Sequence, residues 1–259
     1  MPEEQFHDGL IAAWWSQSEG GPEIDYYRRT IERSGEPVLD AGCGSGRLLI
    51  PYLQAGLDVD GSDRSAGMIR VCRDRLEAGG LSTPLYTQAN HELDLPRRYR
   101  TIIVVGTFGI GTTRREDALA LDRLKAHLLP GGTLAIDIEL PWTDSRLWRA
   151  WARPPERPRR WRQPMERALP DGSVIQLRTR LRSFDPLDQV MTSDVRVSLL
   201  LDGKAVREER RTVRVRSYLP GELLLMLERA GFRDVRVTGD YTEDPPNAHS
   251  EIVVFEGVR

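Results

Sequence analysis

Cysteine is nearly absent from this chain: Cys43 and Cys72 are the two in 259 residues. One falls in a glycine-rich turn and the other in a predicted helix, so a disulfide framework is not what organises the fold, and a reducing cytoplasm is the expected location. No apolar run reaches the length of a membrane span, and the opening MPEEQFHDG is acidic with no signal-peptide core, so no membrane association is expected. Lysine is scarce as well, with 2 against 35 arginines. A bias spread over the whole chain reflects genome composition, and arginine richness alone is therefore not read as a site. The net charge of −2 argues against a dedicated nucleic-acid binder. No metal is expected.

What the chain does have is concentrated between Pro37 and Met68. Val38 and Leu39 end a short apolar strand, Asp40 closes it, and Gly42-Cys43-Gly44-Ser45-Gly46 makes a tight turn. Three glycines in five residues let a ligand come against the backbone, because no Cβ stands between. Residues 47–55 have helical spacing, and such a helix aims its unpaired N–H groups and positive dipole end at the same ligand. A second strand over 58–62 leads to Asp63, 17 residues after Gly46. A carboxylate at that strand tip suits the two hydroxyls of a ribose.

Spacing separates the ligand classes. A dinucleotide fingerprint, G-x-G-x-x-G counted from Gly42, needs glycine where Arg47 stands, and no Tyr-x-x-x-Lys pair accompanies it. A nicotinamide dehydrogenase is therefore disfavoured. The pattern present is D-x-G-x-G-x-G from Asp40, then G-x-D-x-S-x-x-M through Gly61, Asp63, Ser65 and Met68. This resembles the S-adenosylmethionine site of class I methyltransferases, over about residues 22–140 and 218–259. The resemblance implies an α/β fold, a Rossmann-like methyltransferase sheet, here carrying an inserted antiparallel β meander. It also implies S-adenosyl-L-methionine as cofactor. Asp40, Gly42, Cys43, Gly44 and Gly46 would serve its methionine portion, and Asp63 with Arg64 and Met68 its ribose side. Gly106 would lie beside the sulfonium, and an N-terminal helical segment would cover the cofactor, with Tyr26 and Tyr27 as its candidate contacts and Phe6, Trp14 and Trp15 in the flap before them. Many relatives have an acid where this chain has Ala89, so the adenine edge falls to Asn90 or a backbone N–H nearby.

Taken in order, residues 1–142 read as the flap and cofactor-binding core, 143–217 as the inserted β subdomain, and 218–259 as the rest of the core. Thr113-Arg-Arg-Glu116 is a capping box for a helix running to Leu129. Residues 144–167 are rich in Arg, Pro and Trp, with eight Arg against Asp144, Glu156 and Glu166, an excess that an acidic or phosphate-bearing substrate can use. Four alternating stretches follow, with turns at Pro170-Asp171-Gly172, Asp185-Pro186 and Asp202-Gly203: a meander with one wet face. Its apolar face must be covered, by residues 144–167 or by a second subunit, and a homodimer is expected. The meander is expected not to touch the cofactor.

Methyl transfer to an amine needs mainly orientation, whereas a hydroxyl acceptor needs a base. The last two strands, read as a hairpin, carry their loop to the carboxyl edge of the sheet, where ligands of open α/β sheets bind. Tyr241 and His249 are therefore the catalytic candidates, and Phe108 and Trp142 are expected around the acceptor. His127 is expected to be an exposed helix residue. The function expected is methyl transfer to a small-molecule amine or hydroxyl. The alternative is a catalytically silent protein that binds S-adenosylmethionine or S-adenosylhomocysteine. An Asn/Asp-Pro-Pro-Tyr/Phe motif, the usual mark of nucleobase methylation, is absent after the fourth strand.

Overall fold

The computed structural model describes residues 7–143, 145–169 and 171–259; Phe6, Asp144 and Pro170 lie outside them. Two short strands, β1 (Val38–Ala41) and β2 (Val59–Asp63), are buried at every position, although β2 carries Asp60, Ser62 and Asp63. They pair in parallel, and β1 pairs on its other side with β4 (Tyr99–Val104). Beyond these lie β3 (Leu85–Thr87) next to β2, and β5 (Leu128–Glu139) next to β4, all parallel. The chain returns with β10 (Arg233–Gly239) and β11 (Ile252–Val258), an antiparallel pair of which β11 runs against β5. The seven-stranded order is β10-β11-β5-β4-β1-β2-β3. β10 therefore runs with the parallel strands, and its loop to β11 falls at the carboxyl edge.

Helices cover both faces. On one side α2 (Pro22–Ser34), α3 (Leu49–Gln54) and α4 (Ala66–Ala78) bring Tyr27, Ile31, Leu49, Tyr52, Cys72 and Leu76 onto Val38, Val59 and Ile103. On the other, α5 (Arg114–His127) and α7 (Pro220–Arg229) bring Leu121, Leu124, Leu223 and Leu227 onto Ile102, Val104 and Ile136. Burying each such side chain contributes about 1.5–3 kcal/mol. The capping box that opens α5 forms in both directions between Thr113 and Glu116. α3 departs from expectation. Residues 44–48 are turns, and the helix begins only at Leu49. Pro51 has no N–H to give the Arg47 carbonyl, so the first turn cannot be regular. The six-residue helix supplies no long dipole to the loop before it.

The inserted strands β6 (Met165–Ala168), β7 (Val174–Asp185), β8 (Val190–Leu201) and β9 (Lys204–Arg216) form a second, antiparallel sheet in sequence order. Its apolar face carries Ile175, Leu177, Val195, Val197 and Val213, and the cover is α1 (Leu10–Ser16), through Leu10, Ile11 and Trp14. This corrects the expectation that residues 144–167 or a second subunit cover that face. Those residues pack elsewhere: Arg159 and Arg162 hydrogen-bond along β7, and Trp161 lies against the guanidinium groups of Arg180 and Arg196. Trp151 of α6 (Ser145–Ala152) reaches Phe184 at the end of β7. Among the described residues no helix is long and apolar enough to cross a membrane.

Candidate active site

The order of the sheet reverses at β1, which has β2 on one side and β4 on the other, and ligands of open α/β sheets bind outside the carboxyl ends at such a point. A cavity of about 550 Å³ opens there, in the size range of small-molecule and cofactor sites. Its floor is the turn after β1. Gly42, Gly44 and Gly46 all have positive φ, at 93°, 56° and 84°. A Cβ on Gly44 would meet nothing within 4 Å, so that face of the backbone is open. A Cβ on Gly42 would come within 2.7 Å of the Thr107 hydroxyl, so the loop can only lie this close to the end of β4 with glycine there. Gly46 does not line the cavity; a Cβ there would meet the Cys72 sulfur at 2.8 Å, and its part is to let the loop pack on α4.

Two carboxylates face this turn. Asp63 Oδ2 accepts the Gly44 N–H at 3.0 Å and Oδ1 accepts the Ser65 N–H at 2.8 Å, which bolts the strand tip to the loop. Burial nevertheless pushes the Asp63 carboxyl above its ordinary value. Asp40 is less well served: its Oδ2 is buried with no partner among the described residues. Burial, then the nearby Asp63, push its pKa from 3.8 up to about 7, against the pull of the Leu49 N–H. The Cys43 thiol is pushed up by its contact with Cys72 and by burial, so it is no nucleophile.

The walls match much of the expected cradle. Arg64, Met68, Ala89, Asn90 and Gly106 line the cavity with Asp40, Gly42, Cys43, Gly44 and Asp63. Arg64 Nη1 donates to the carbonyls of Ile110 and Gly111 at 3.3 and 3.0 Å and so ties the tip of β2 to the loop after β4. Tyr27 is not part of the wall. It is fully buried in α2, packed edge-on against Tyr26 at 5.3 Å and facing Tyr241 at 6.0 Å.

Neither catalytic candidate lines the cavity. The loop after β10 does reach the carboxyl edge, but Asp240 and Tyr241 both adopt positive φ, 52° and 57°. The Tyr241 ring packs on Tyr26 and Tyr27, and its hydroxyl donates to Asp137 Oδ2 at 2.8 Å. Asp137 Oδ1 accepts the Gly106 N–H, so this carboxylate braces the end of β4 from behind. His249 is exposed, in a loop closed on itself through its own N–H to Asn247 Oδ1 at 2.9 Å. Trp142 is 37% exposed and leans on Trp148, also off the cavity wall. His127, expected on the surface, is 3% exposed. Its Nδ1–H donates to the Arg123 carbonyl and Nε2 accepts the Leu95 N–H at 2.9 Å, a structural clasp between α5 and the approach to β4.

Several lining residues were not singled out from the sequence as cofactor contacts. His7, Ser18 and Glu19 come from the N-terminal segment, where they join Trp15 of the expected flap, and Arg167 comes from β6 of the inserted sheet. The inserted sheet thus reaches the cavity through this one side chain. Burial, with Arg64 adding to it, pushes His7 down to about 4, so its imidazole is neutral at pH 7. Phe108, Thr107, Thr112 and Asp117 form the wall beyond β4. Asp117 is held there by the hydroxyls of Thr112 and Tyr218, at 2.6 and 2.7 Å.

A glycine turn after the first strand and an acid at the tip of the second, over one cavity at the switch point, define a doubly wound α/β protein built to hold a nucleoside-type ligand. Residues 38–132 match the family model described as a methyltransferase domain. The chain is similar to a ubiquinone biosynthesis O-methyltransferase of Nitrobacter winogradskyi, with 30% identity over 119 residues, 46% of this chain and 42% of that protein. The match thus spans less than half the length of this curated relative. Solved structures are similar over nearly the whole chain. An S-adenosylmethionine-dependent methyltransferase from Clostridium acetobutylicum aligns over 97% of this chain and 95% of its own, with TM-score 0.72 and 15% identity. A sugar N-methyltransferase from a Streptoalloteichus species aligns over 100% and 96%, with TM-score 0.72 and 18% identity. At these identities the likeness is one of fold, and it includes the inserted sheet.

Proposed function

We propose that the protein binds S-adenosylmethionine in this cavity and transfers its methyl group to a small-molecule amine. The observation that carries the reading is the cradle itself: an open Gly44 face beside two carboxylates, one of which keeps a buried oxygen without a partner. A ligand with a ribose and a cationic amino acid end fits such a donor set. Asp63 is suited to the ribose hydroxyls, and the unpartnered Asp40 oxygen to a positive charge. When bound, the cofactor supplies a methyl group on a positively charged sulfur. The chain's own contribution is placement. Phe108 and Trp15 exclude water from the acceptor's side, and aromatic faces attract a sulfonium by about 0.5–2 kcal/mol. Holding the acceptor in line contributes about 7–11 kcal/mol.

An amine is favoured over a hydroxyl because, of the two histidines on the cavity wall, His91 follows Ala89 and Asn90 at the end assigned to adenine, which leaves only His7 on the acceptor's side. His249 stands away from the cavity, and His7, pushed down to about 4, is too weakly basic to activate a hydroxyl at pH 7. An unprotonated amine needs no base. The similar fold of the Streptoalloteichus sugar N-methyltransferase agrees with this choice. The test is adenosylhomocysteine release from S-adenosylmethionine against panels of amino sugars, amino acids, other amines and phenols. Turnover confined to amines supports the reading. Turnover confined to phenols would reverse the choice of acceptor, and tight cofactor binding with no turnover would favour the silent binder.

A further inference from the structure

The residues that match the methyltransferase model, 38–132, supply the cofactor cradle; the roof over the cavity comes from parts of the chain outside that match. The roof has one feature that the cradle does not use. Arg167, on β6, lies over the Trp14 ring with its guanidinium carbon 4.3 Å from the ring centre. Its Nη1 donates to the Trp14 carbonyl at 2.7 Å and to the Ser18 hydroxyl at 2.8 Å. Those two bonds and the stacking fix the plane of the guanidinium. Nε and Nη2, which form the edge that grips an anion bidentately, have no hydrogen-bond partner among the described residues, and no ion pair engages this arginine there. The charged residue nearest to it in effect is Glu19, exposed at the rim.

A permanent cation held rigidly at a cavity wall, with its forked edge free, is a preorganised anion receptor. We propose that Arg167 is a specificity-determining residue that docks an anionic group, carboxylate or phosphate, carried by the methyl acceptor. The proposal rests on the cofactor reading above: the cradle holds the cofactor, and the inserted sheet selects what is brought to it. It also gives the insert a function that the remainder of the arginine-rich segment does not share. Arg159 and Arg160 of the same segment are exposed and do not line the cavity.

The test uses the full chain saturated with adenosylhomocysteine, with pyrophosphate and citrate as probes and isothermal calorimetry as the readout, supported by the change in fluorescence that Trp14 and Trp15 contribute to the signal of the six tryptophans. Saturable binding of at least one probe is expected, weakened about 10- to 100-fold in Arg167→Gln, as for charge-assisted bonds to one guanidinium. Arg167→Lys should recover part of it, and Arg160→Gln should bind as the wild type does. Whichever probe binds more tightly identifies the anion class. Adenosylhomocysteine affinity, measured by calorimetry on the same variants, should not change. The proposal is overturned if neither probe binds, if Arg167→Gln binds both normally, or if that variant loses adenosylhomocysteine instead, which would assign the guanidinium to the cofactor's own carboxylate. Should the wild type bind no adenosylhomocysteine, the cofactor reading fails by itself. The same titration on the free protein then decides for or against an anion site at Arg167.

Discussion

Asp40 makes the affinity for the cofactor depend on pH, with a sign set by its burial and by the nearby Asp63. Its rise from 3.8 to about 7 corresponds to a penalty of about 4 kcal/mol on the charged form in the free protein, at about 1.4 kcal/mol per pH unit. A folded-state pKa raised above the unfolded one gives stability that is complete below pH 4 and is lost as pH rises through 7. A ligand that brings an ammonium group to the unpartnered oxygen restores the charged form, so binding below pH 7 must first expel a proton. Between pH 8 and pH 6 the affinity for adenosylhomocysteine should fall about tenfold, with close to one proton released per ligand at the lower pH. Calorimetry in two buffers of different ionisation enthalpy counts that proton. Asp40→Asn removes the titrating group: its binding should be weak and flat over this range. The free variant should be more stable than the wild type at pH 8, by about 1–3 kcal/mol once the cost of a buried amide is deducted. His7 does not interfere, since it stays neutral throughout. A flat profile in the wild type, or the same slope in Asp40→Asn, would refute the reasoning.

The other parts of the site are open to simpler tests. Gly44→Val places a branched side chain at φ 56° and into open cavity, so adenosylhomocysteine binding should be lost while the far-ultraviolet circular dichroism is kept. His249→Ala should leave kcat/KM unchanged within about twofold, because a base would cost about 10²-fold or more. Tyr241→Phe strips one hydrogen bond from Asp137 and should lower stability in urea by about 0.5–3 kcal/mol without changing the pH profile of the reaction. Trp14→Ala removes the cover of the inserted sheet and the seat of Arg167; a loss of about 3–5 kcal/mol and new binding of a hydrophobic dye are expected.

The cradle was legible because its chemistry is local. A turn that needs positive φ at Gly42, Gly44 and Gly46 must be written in glycine, and the acid at position 63 is fixed by the length of one strand–helix–strand unit. The alternation of the insert was legible for the same reason: Ile175, Leu177, Val195 and Val197 fall on one face by strand periodicity. What the periodicity could not say is which partner that face meets. The answer, α1, lies more than 150 residues earlier in the chain, and its seven residues carry too short a pattern to announce it. His249 shows a different limit. Topology brought its loop to the right edge, but positive φ at Asp240 and Tyr241 turned the side chains away, and neither residue type signals that conformation strongly. His127 was misjudged because a helix histidine looks the same in sequence whether it faces water or clasps a backbone N–H. Arg167 was hidden among 35 arginines, and only the stacking on Trp14 and the cavity beside it set it apart.

The central claim is that the turn after β1 and the acid at the tip of β2 hold S-adenosylmethionine. Its most direct test is calorimetric titration of wild type and Asp63→Ala with adenosylhomocysteine at pH 8. One site per chain is expected, with the variant weaker by about 1.5–3 kcal/mol through the lost ribose bonds to a charged acceptor. No binding to the wild type, or equal affinity in the two proteins, would contradict the account.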